Sequence, residues 1–155
     1  MTTPPTPMDT VTLERRIDAG PEAVFAFLTD REKWLSWMGE DGVFSIAPGG
    51  SYRVRVPGGA VASGRFTVVE PPRRMVLSWG WESGPVPVPP GGSTVEITLA
   101  PAPGGTLLRL VHSGLPTTEA CEAQAESWQH HVDRLASLAE GHDPGPDPWT
   151  RRPEV

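Results

Sequence analysis

The sequence predicts an α+β fold in which a curved antiparallel sheet wraps around one long C-terminal helix and encloses a cavity. Short segments rich in β-branched and aromatic residues alternate with Gly/Pro turns, as in successive hairpins. Near the C-terminus, apolar residues recur at alternating steps of four and three, the spacing that places side chains on one helix face. These residues are Cys121, Ala125, Trp128, Val132, Leu135 and Ala139.

The N-terminal part predicts one strand followed by two short helices. Residues 1–9 are rich in Pro and Thr and are expected to be disordered. A first strand is predicted over 11–17, and Gly20-Pro21 then begins a helix, because proline is well accommodated in a first helical turn. Asp30 is expected to cap the second helix. Val24, Phe25 and Leu28 are predicted to form the buried face of the first helix, and the apolar residues of the second are Trp34, Leu35, Trp37 and Met38.

Three hairpins are predicted to follow, because pairs of apolar segments flank turn-forming residues: 43–47 with 52–56, 61–69 with 74–81, and 94–100 with 106–112. In the second hairpin, we expect Phe66 opposite Leu77 and Val68 opposite Met75. Gly64 would then make room for Trp79. This register places Met75, Leu77, Trp79 and Trp81 on one face of the sheet.

The third hairpin has a register in which apolar residues meet apolar residues and an acid meets a base. Pairing Ala100 with Gly105 places Val95 opposite Leu110 and Ile97 opposite Leu108. On the other face, the same register places Glu96 opposite Arg109 as an exposed ion pair. The inward face of the last strand would then continue from Leu110 to His112.

The long helix is predicted over about 118–140, with Glu119 and Glu122 favourable to the helix dipole in its first turn and Gly141 as its stop. Residues 142–155 are rich in Pro and Asp and are predicted to be a disordered tail. The domain organisation expected from these features is one domain over 10–141 with disordered ends.

Composition and charge exclude several classes of function. The chain has 155 residues, of which 37% are hydrophobic and 21% charged, and a net charge of −6. An acidic chain is a poor binder of nucleic acid, because phosphate contacts need clustered Lys and Arg. No apolar run is long enough for membrane insertion, and the N-terminus lacks the features of a signal peptide. With a single cysteine, Cys121, we expect a cytoplasmic protein without disulfides.

The ordered set of these pieces resembles the helix-grip superfamily that includes START domains, the birch-pollen allergens and polyketide cyclases. The segments 17–25, 48–52, 64–66, 70–73, 77–79 and 112–115, together with Trp128 and Leu135, are most similar to the branch named for activators of a heat-shock-protein ATPase. That branch usually has a glycine where this chain has Ser127. The resemblance implies a cavity between sheet and helix that holds an apolar ligand, and it does not imply one reaction.

The candidate ligand-binding residues are the side chains expected to face this cavity: Trp34, Trp37, Tyr52, Phe66, Met75, Leu77, Trp79, Trp81, Leu110, His112 and Trp128. His112 is the one candidate for an acid or base, and the alternative is a histidine that fixes the turn before the last helix. No metal site or cofactor is expected. His130 and His131 are adjacent, so their side chains should diverge on a helix.

Three functions remain open from the sequence. We favour a module that binds a small hydrophobic molecule in the cavity. The first alternative is an enzyme, such as a cyclase, dehydratase or hydrolase, that acts on an apolar or polyketide-like substrate through His112 and Tyr52. The second is a protein-interaction role like that of the chaperone ATPase activators. The sequence is compatible with a monomer or a homodimer, with a weak dimer signal from the outward side chains of Val76, Leu107 and Val111.

Overall fold

The computed structural model describes residues 9–82, 86 and 88–151, without the side chains of Thr150 and Arg151. The elements in chain order are β1 (Val11–Ile17), α1 (Pro21–Thr29), α2 (Arg31–Trp37), β2 (Asp41–Phe44), β3 (Ser51–Arg55), β4 (Val61–Glu70), β5 (Arg74–Trp81), β6 (Ser93–Ala102), β7 (Gly105–Ser113) and α3 (Thr118–Ala139), followed by a 3-10 turn (Pro148–Arg151). The α+β class and the order of elements agree with the prediction.

Within the described residues, the strands form one antiparallel sheet in the order β1-β7-β6-β5-β4-β3-β2. The first strand therefore pairs with the last, so that β1 brings the N-terminal end of the domain beside α3. The inward faces of the strands, α1, α2 and one face of α3 enclose a shared hydrophobic core. This is the predicted arrangement of a curved sheet that grips the long helix.

The two short helices begin and pack as the sequence indicates. Pro21 occupies the first turn of α1, and the Asp30 side chain accepts hydrogen bonds from the backbone N–H groups of Glu32 and Lys33 at the start of α2. These side-chain bonds replace two helical partners that the first turn lacks. The buried residues are Val24, Phe25 and Leu28 in α1, and Trp34 and Trp37 in α2.

The predicted register of the β6–β7 hairpin is wrong by two residues. Ile97 lies opposite Leu110 and Glu96 opposite Val111, because the strands extend to Ala102 and Gly105 around a tighter turn. Gly104 permits that turn, with φ at 72°. A shift of two residues keeps each side chain on its face, so the inward set is unchanged. Glu96 pairs with Arg74 of β5 instead, with 2.7 Å between Arg74 Nε and the carboxylate.

The β4–β5 register is partly as predicted. Phe66 lies opposite Leu77, but the register shifts before Val68, so Met75 pairs with Val69 and not with Val68. Such a bulge adds one residue to one strand and increases the local twist. Gly64 is indeed required, although the close neighbour is backbone: a Cβ atom at this position would lie 2.2 Å from the carbonyl oxygen of Ser78.

The buried stripe of α3 agrees with the prediction at Trp128, Val132 and Leu135, but not in the first turns. There Ala120 and Gln124 are buried, whereas Ala125 is exposed and Cys121 is half-buried. The predicted stripe repeats every seven residues, and an ideal helix drifts by about 20° per seven residues relative to that repeat. Over two such repeats the drift is about 40°, less than half of the roughly 100° between successive residues, so it accounts for only part of the change. The buried residues of these turns follow steps of four, from Ala120 through Gln124 to Trp128.

The free edge of β2 is covered by a side chain of α2. Arg31 donates from Nε to the carbonyl oxygen of Gly42 at 2.8 Å and from Nη2 to Asp41 Oδ1 at 3.1 Å. β2 thus begins earlier than the predicted 43–47 segment and includes Gly42. Val43, next to this contact, is 74% exposed.

The segment after α3 differs from the predicted disordered tail, since residues 142–149 turn back and contact α3. The predicted disorder of residues 1–8 lies outside the described residues. Among the described residues, no helix combines the length and the apolar character needed to cross a membrane.

We expect Gly64→Ala to destabilise the fold by about 1–3 kcal/mol, because the new methyl group must displace the Ser78 backbone. Urea unfolding at neutral pH measures the change. Gly20→Ala is the matched control: the same methyl group there lies 3.7 Å from its nearest neighbour, so a loss of about 0.5 kcal/mol is expected. Equal losses in the two variants would contradict the close approach at Gly64.

Candidate ligand-binding site

The predicted site residues come together in one buried region between the sheet and α3. All are buried except Trp81, which is half-buried at the edge of the same region. Their rings form a continuous series of contacts: Trp34 with Phe66, Phe66 with Tyr52, Tyr52 with Trp79, and Trp79 with Trp81, Trp128 and His112. The aliphatic members Met75, Leu77 and Leu110 belong to the same core. In the described state these side chains pack against one another.

A chain of hydrogen bonds crosses this region from α3 to β5. The indole Nε1–H of Trp128 donates to His112 Nδ1 at 2.9 Å, and His112 Nε2 lies 2.7 Å from Ser93 Oγ. Ser93 Oγ in turn donates to the carbonyl oxygen of Trp79 at 2.7 Å. An indole N–H can only donate, so His112 Nδ1 is the acceptor, and the neutral ring carries its proton on Nε2. The partners thus assign the tautomer of His112.

His112 is therefore a poor acid or base in this state. It is completely buried, and burial lowers the pKa of its imidazole from 6.5 to about 4. Both ring nitrogens already have partners, so neither is available to a substrate without breaking the chain. Ser93, which sequence analysis missed, lies on the same inward face as Val95 and Ile97, and this alternation is the signal that identifies it.

The hydroxyl group of Tyr52 also has a hydrogen-bond partner within the protein. It donates to the carbonyl oxygen of Ser78 at 2.6 Å, and burial raises the pKa of the hydroxyl well above its ordinary value. The inward-turned Ser78 carbonyl is the group that a Cβ atom at Gly64 would meet. Gly64 and Tyr52 therefore act together. Because Gly64 has no side chain, the Ser78 carbonyl oxygen has the space in which it accepts the hydrogen bond from the Tyr52 hydroxyl.

Three tryptophans in the same region have polar atoms without partners. Trp34 Nε1, Trp79 Nε1 and Trp81 Nε1 are buried and have no hydrogen-bond acceptor among the described residues. Trp34 and Trp79 are each 1% exposed. By contrast, Trp37 Nε1 donates to the carbonyl oxygen of Phe27 at 3.0 Å. Buried donors are almost always paired, and an unpaired one costs about 1–3 kcal/mol.

Surface grooves lie outside this region. The larger of two grooves has a volume of about 830 Å³ and lies between the start of α1, the β4–β5 turn and the end of β6. Leu99 forms part of its floor and also belongs to the core. The other, of about 570 Å³, lies on β3, β4 and β5 and includes Tyr52 among its lining residues. Tyr52 is thus a predicted site residue that lines this second groove and also belongs to the core, whereas the larger groove is lined by none of the predicted site residues.

A second polar cluster, which sequence analysis missed, joins α3 to the segment after it. His130, His131 and Asp147 offer ligand atoms that lie within 4.8 Å of one another, so the two histidines converge and do not diverge as predicted. Two observations oppose a bound cation. Arg134 Nε lies 3.6 Å from the Asp147 carboxylate, and His131 Nδ1 is hydrogen-bonded to the Trp37 carbonyl oxygen at 3.2 Å. A guanidinium ion already neutralises the carboxylate that a metal would need.

The fold and its buried site define a helix-grip protein. The family model for activator of Hsp90 ATPase homolog 1-like protein matches residues 18–140. The chain therefore belongs to this family. A comparison with curated protein sequences gives no match.

Several solved structures share the fold. The AHSA1-like protein RHE_CH02687 from Rhizobium etli is 48% identical, with a TM-score of 0.73 over 94% of this chain and 91% of that chain. CalU16 from Micromonospora echinospora is 28% identical, with a TM-score of 0.73 over 92% of this chain and 71% of its own. DynU16, a protein in the dynemicin biosynthetic locus, is 27% identical, with a TM-score of 0.73 over 88% of this chain and 49% of that chain.

The buried histidines predict a loss of stability in acid. Burial lowers the pKa of His112 and of His131 to about 4, with the neighbouring His130 contributing at His131. The ordinary histidine pKa of 6.5 applies to the unfolded chain. The contribution of the two neutral histidines to stability is therefore complete above pH 6.5 and is lost as the pH falls towards 4. The shift corresponds to roughly 3 kcal/mol for each histidine.

Urea unfolding at pH 7, 5.5 and 4.5 tests this expectation. We expect His112→Gln to be less stable at pH 7 and to lose less further stability in acid than the unmodified protein. His142→Gln, at an exposed position, serves as control and should follow the unmodified protein. Parallel pH profiles for His112→Gln and the unmodified protein would contradict a buried neutral His112.

Proposed function

We propose that this protein binds a small apolar molecule that carries a hydrogen-bond acceptor, between the sheet and α3. The observation that carries the proposal is that the buried indole N–H groups of Trp34 and Trp79 have no acceptor in the part of the chain that the structure describes. A ligand oxygen placed at either indole would accept a hydrogen bond from a donor that has no acceptor among the described residues. Membership of a family whose fold grips its helix with a curved sheet supports the same location.

The chemistry of the region restricts the ligand. Its members are aromatic and aliphatic side chains, and none of the predicted site residues is Lys, Arg, Asp or Glu. The polar groups of Tyr52, His112 and Trp128 are occupied by protein partners, which leaves indole donors as the free polar atoms. A neutral ligand with an accepting oxygen, such as an aryl ketone, therefore fits better than an anion or a cation, which would be buried without a counter-charge.

Binding is favoured over catalysis by the same geometry. An enzyme acting through His112 would have to break the hydrogen bonds to Trp128 and Ser93 before the imidazole could take a proton. A biosynthetic enzyme remains the second candidate, because the similar protein DynU16 belongs to the dynemicin biosynthetic locus. His112 serves in the proposal as a positioning residue that fixes Trp128 and the wall of the site.

Two probes that differ in one carbonyl group test the proposal. 9-Fluorenone and fluorene have nearly the same shape, and only the ketone offers an acceptor. We expect fluorenone to bind about 5- to 10-fold more tightly, because one neutral hydrogen bond is worth about 1–1.5 kcal/mol. In Trp79→Phe, which keeps the ring and removes the N–H, this preference should fall below about 3-fold.

Trp37→Phe is the matched control for that variant. Its indole N–H is already paired with Phe27, so its removal should lower stability without changing the preference for the ketone. Titration calorimetry measures both probes with each variant, and circular dichroism confirms that each variant is folded. Absence of binding by the folded protein, or equal binding of both probes, would contradict the proposal.

A further inference from the structure

The segment that follows α3 is anchored along that helix. Gly141 reverses the chain with φ at 87°, and the N–H of His142 donates to the carbonyl oxygen of Ser137 at 2.8 Å. Three residues later, Arg134 Nη2 donates to the carbonyl oxygen of Gly145 at 2.7 Å. Residues 142–149, which we name the strap, thus run back over the C-terminal half of α3.

Asp147 is the main polar anchor of the strap. Its side chain is 9% exposed, and Oδ1 accepts hydrogen bonds from His130 Nε2 at 2.9 Å and from the Trp149 N–H at 2.8 Å. Oδ2 lies 3.6 Å from Arg134 Nε, a buried atom for which the described residues supply no hydrogen-bond acceptor. A largely buried carboxylate beside a guanidinium ion interacts more strongly than an exposed pair, and its removal leaves the cation uncompensated.

Trp149 covers the histidines on which the strap lies. Its ring stacks on His130 with 3.8 Å between centroids and an interplanar angle of 2°, and it meets the edge of His131 at 5.6 Å. His131 is only 1% exposed in consequence. The side chain of His131 connects the strap to the next layer, because its Nδ1 donates to the carbonyl oxygen of Trp37 at the end of α2.

The contact at Trp37 lies at the junction of α2 and α3, next to the proposed ligand site. The rings of Trp37 and Trp34 are 5.4 Å apart, and Trp34 carries one of the unpaired indole donors. A continuous series of contacts therefore leads from Trp149 through His131 and Trp37 to Trp34. Loosening the strap would expose His131 and weaken the link that holds α2 to α3.

We propose that the strap is a gate that closes the junction of α2 and α3, and that Asp147 is its latch. This inference rests on the proposed function, since it concerns the route by which the ligand reaches Trp34. A gate of this kind controls the rates of ligand entry and exit. It leaves the affinity nearly unchanged, because the strap lies outside the ligand contacts and a barrier affects both rates equally.

Asp147→Asn tests the latch, since it removes the charge and keeps the shape of the side chain. Glu122→Gln is the matched control, because it makes the same charge change at an exposed position of α3, the helix on which the strap lies. Hydrogen exchange should become at least about 5-fold faster at the amides of residues 37–39 and 130–135 in Asp147→Asn only. Stopped-flow binding of 9-fluorenone should show association and dissociation rates raised together about 5-fold, with Kd changed less than 2-fold.

The outcomes separate the gate from the proposed function. If the unmodified protein binds fluorenone and Asp147→Asn leaves both rates and the exchange at residues 37–39 unchanged, the gate is refuted and the ligand site stands. Faster exchange without faster binding also refutes the gate, because the strap then has a purely structural role. If the unmodified protein fails to bind the probe, the proposed function is refuted and the gate with it.

Discussion

The hydrogen-bond chain from Trp128 through His112 and Ser93 to the backbone of β5 is the interaction on which the rest of the structure depends. It connects α3 to β7, β6 and β5 inside a core that is mostly apolar. Hydrophobic packing alone would allow α3 to slide or rotate on the sheet, because dispersion contacts have little directional preference. A buried chain in which every member has its partner fixes one position of the helix, and with it the depth of the site.

The tryptophans of the chain divide into two groups by the use of their N–H groups. Trp37 and Trp128 donate to protein acceptors and serve to position α2 and α3. Trp34, Trp79 and Trp81 have the same group buried, with no acceptor among residues 9–82, 86 and 88–151. A fold stabilised solely by packing would have replaced these three by Phe or Leu, which fill a core without an unpaired donor. The first two therefore position the helices, whereas the last three supply the donors that the proposed ligand would engage.

The sequence was sufficient to predict the element order and the inward faces of the strands, because these follow from local periodicity. The residues predicted for the site lie together in the buried region. It failed where the answer depended on a turn or on tertiary contact. The β6–β7 register depended on whether Pro101 and Ala102 join the strand, and an apolar match existed two residues away. The cluster around Asp147 could not be predicted, since a segment rich in Pro and Asp resembles a disordered tail until Arg134 and His130 supply its partners.

The contact of Arg31 with the backbone of β2 also limits how this molecule associates with others. One edge strand, β1, lies against α3, and at the other edge a guanidinium group occupies the carbonyl of Gly42 that an incoming strand would need. Sheets whose edge groups are occupied resist extension by a further strand. A second copy or a partner that adds a strand beside β2 would therefore first have to displace Arg31 from this carbonyl oxygen.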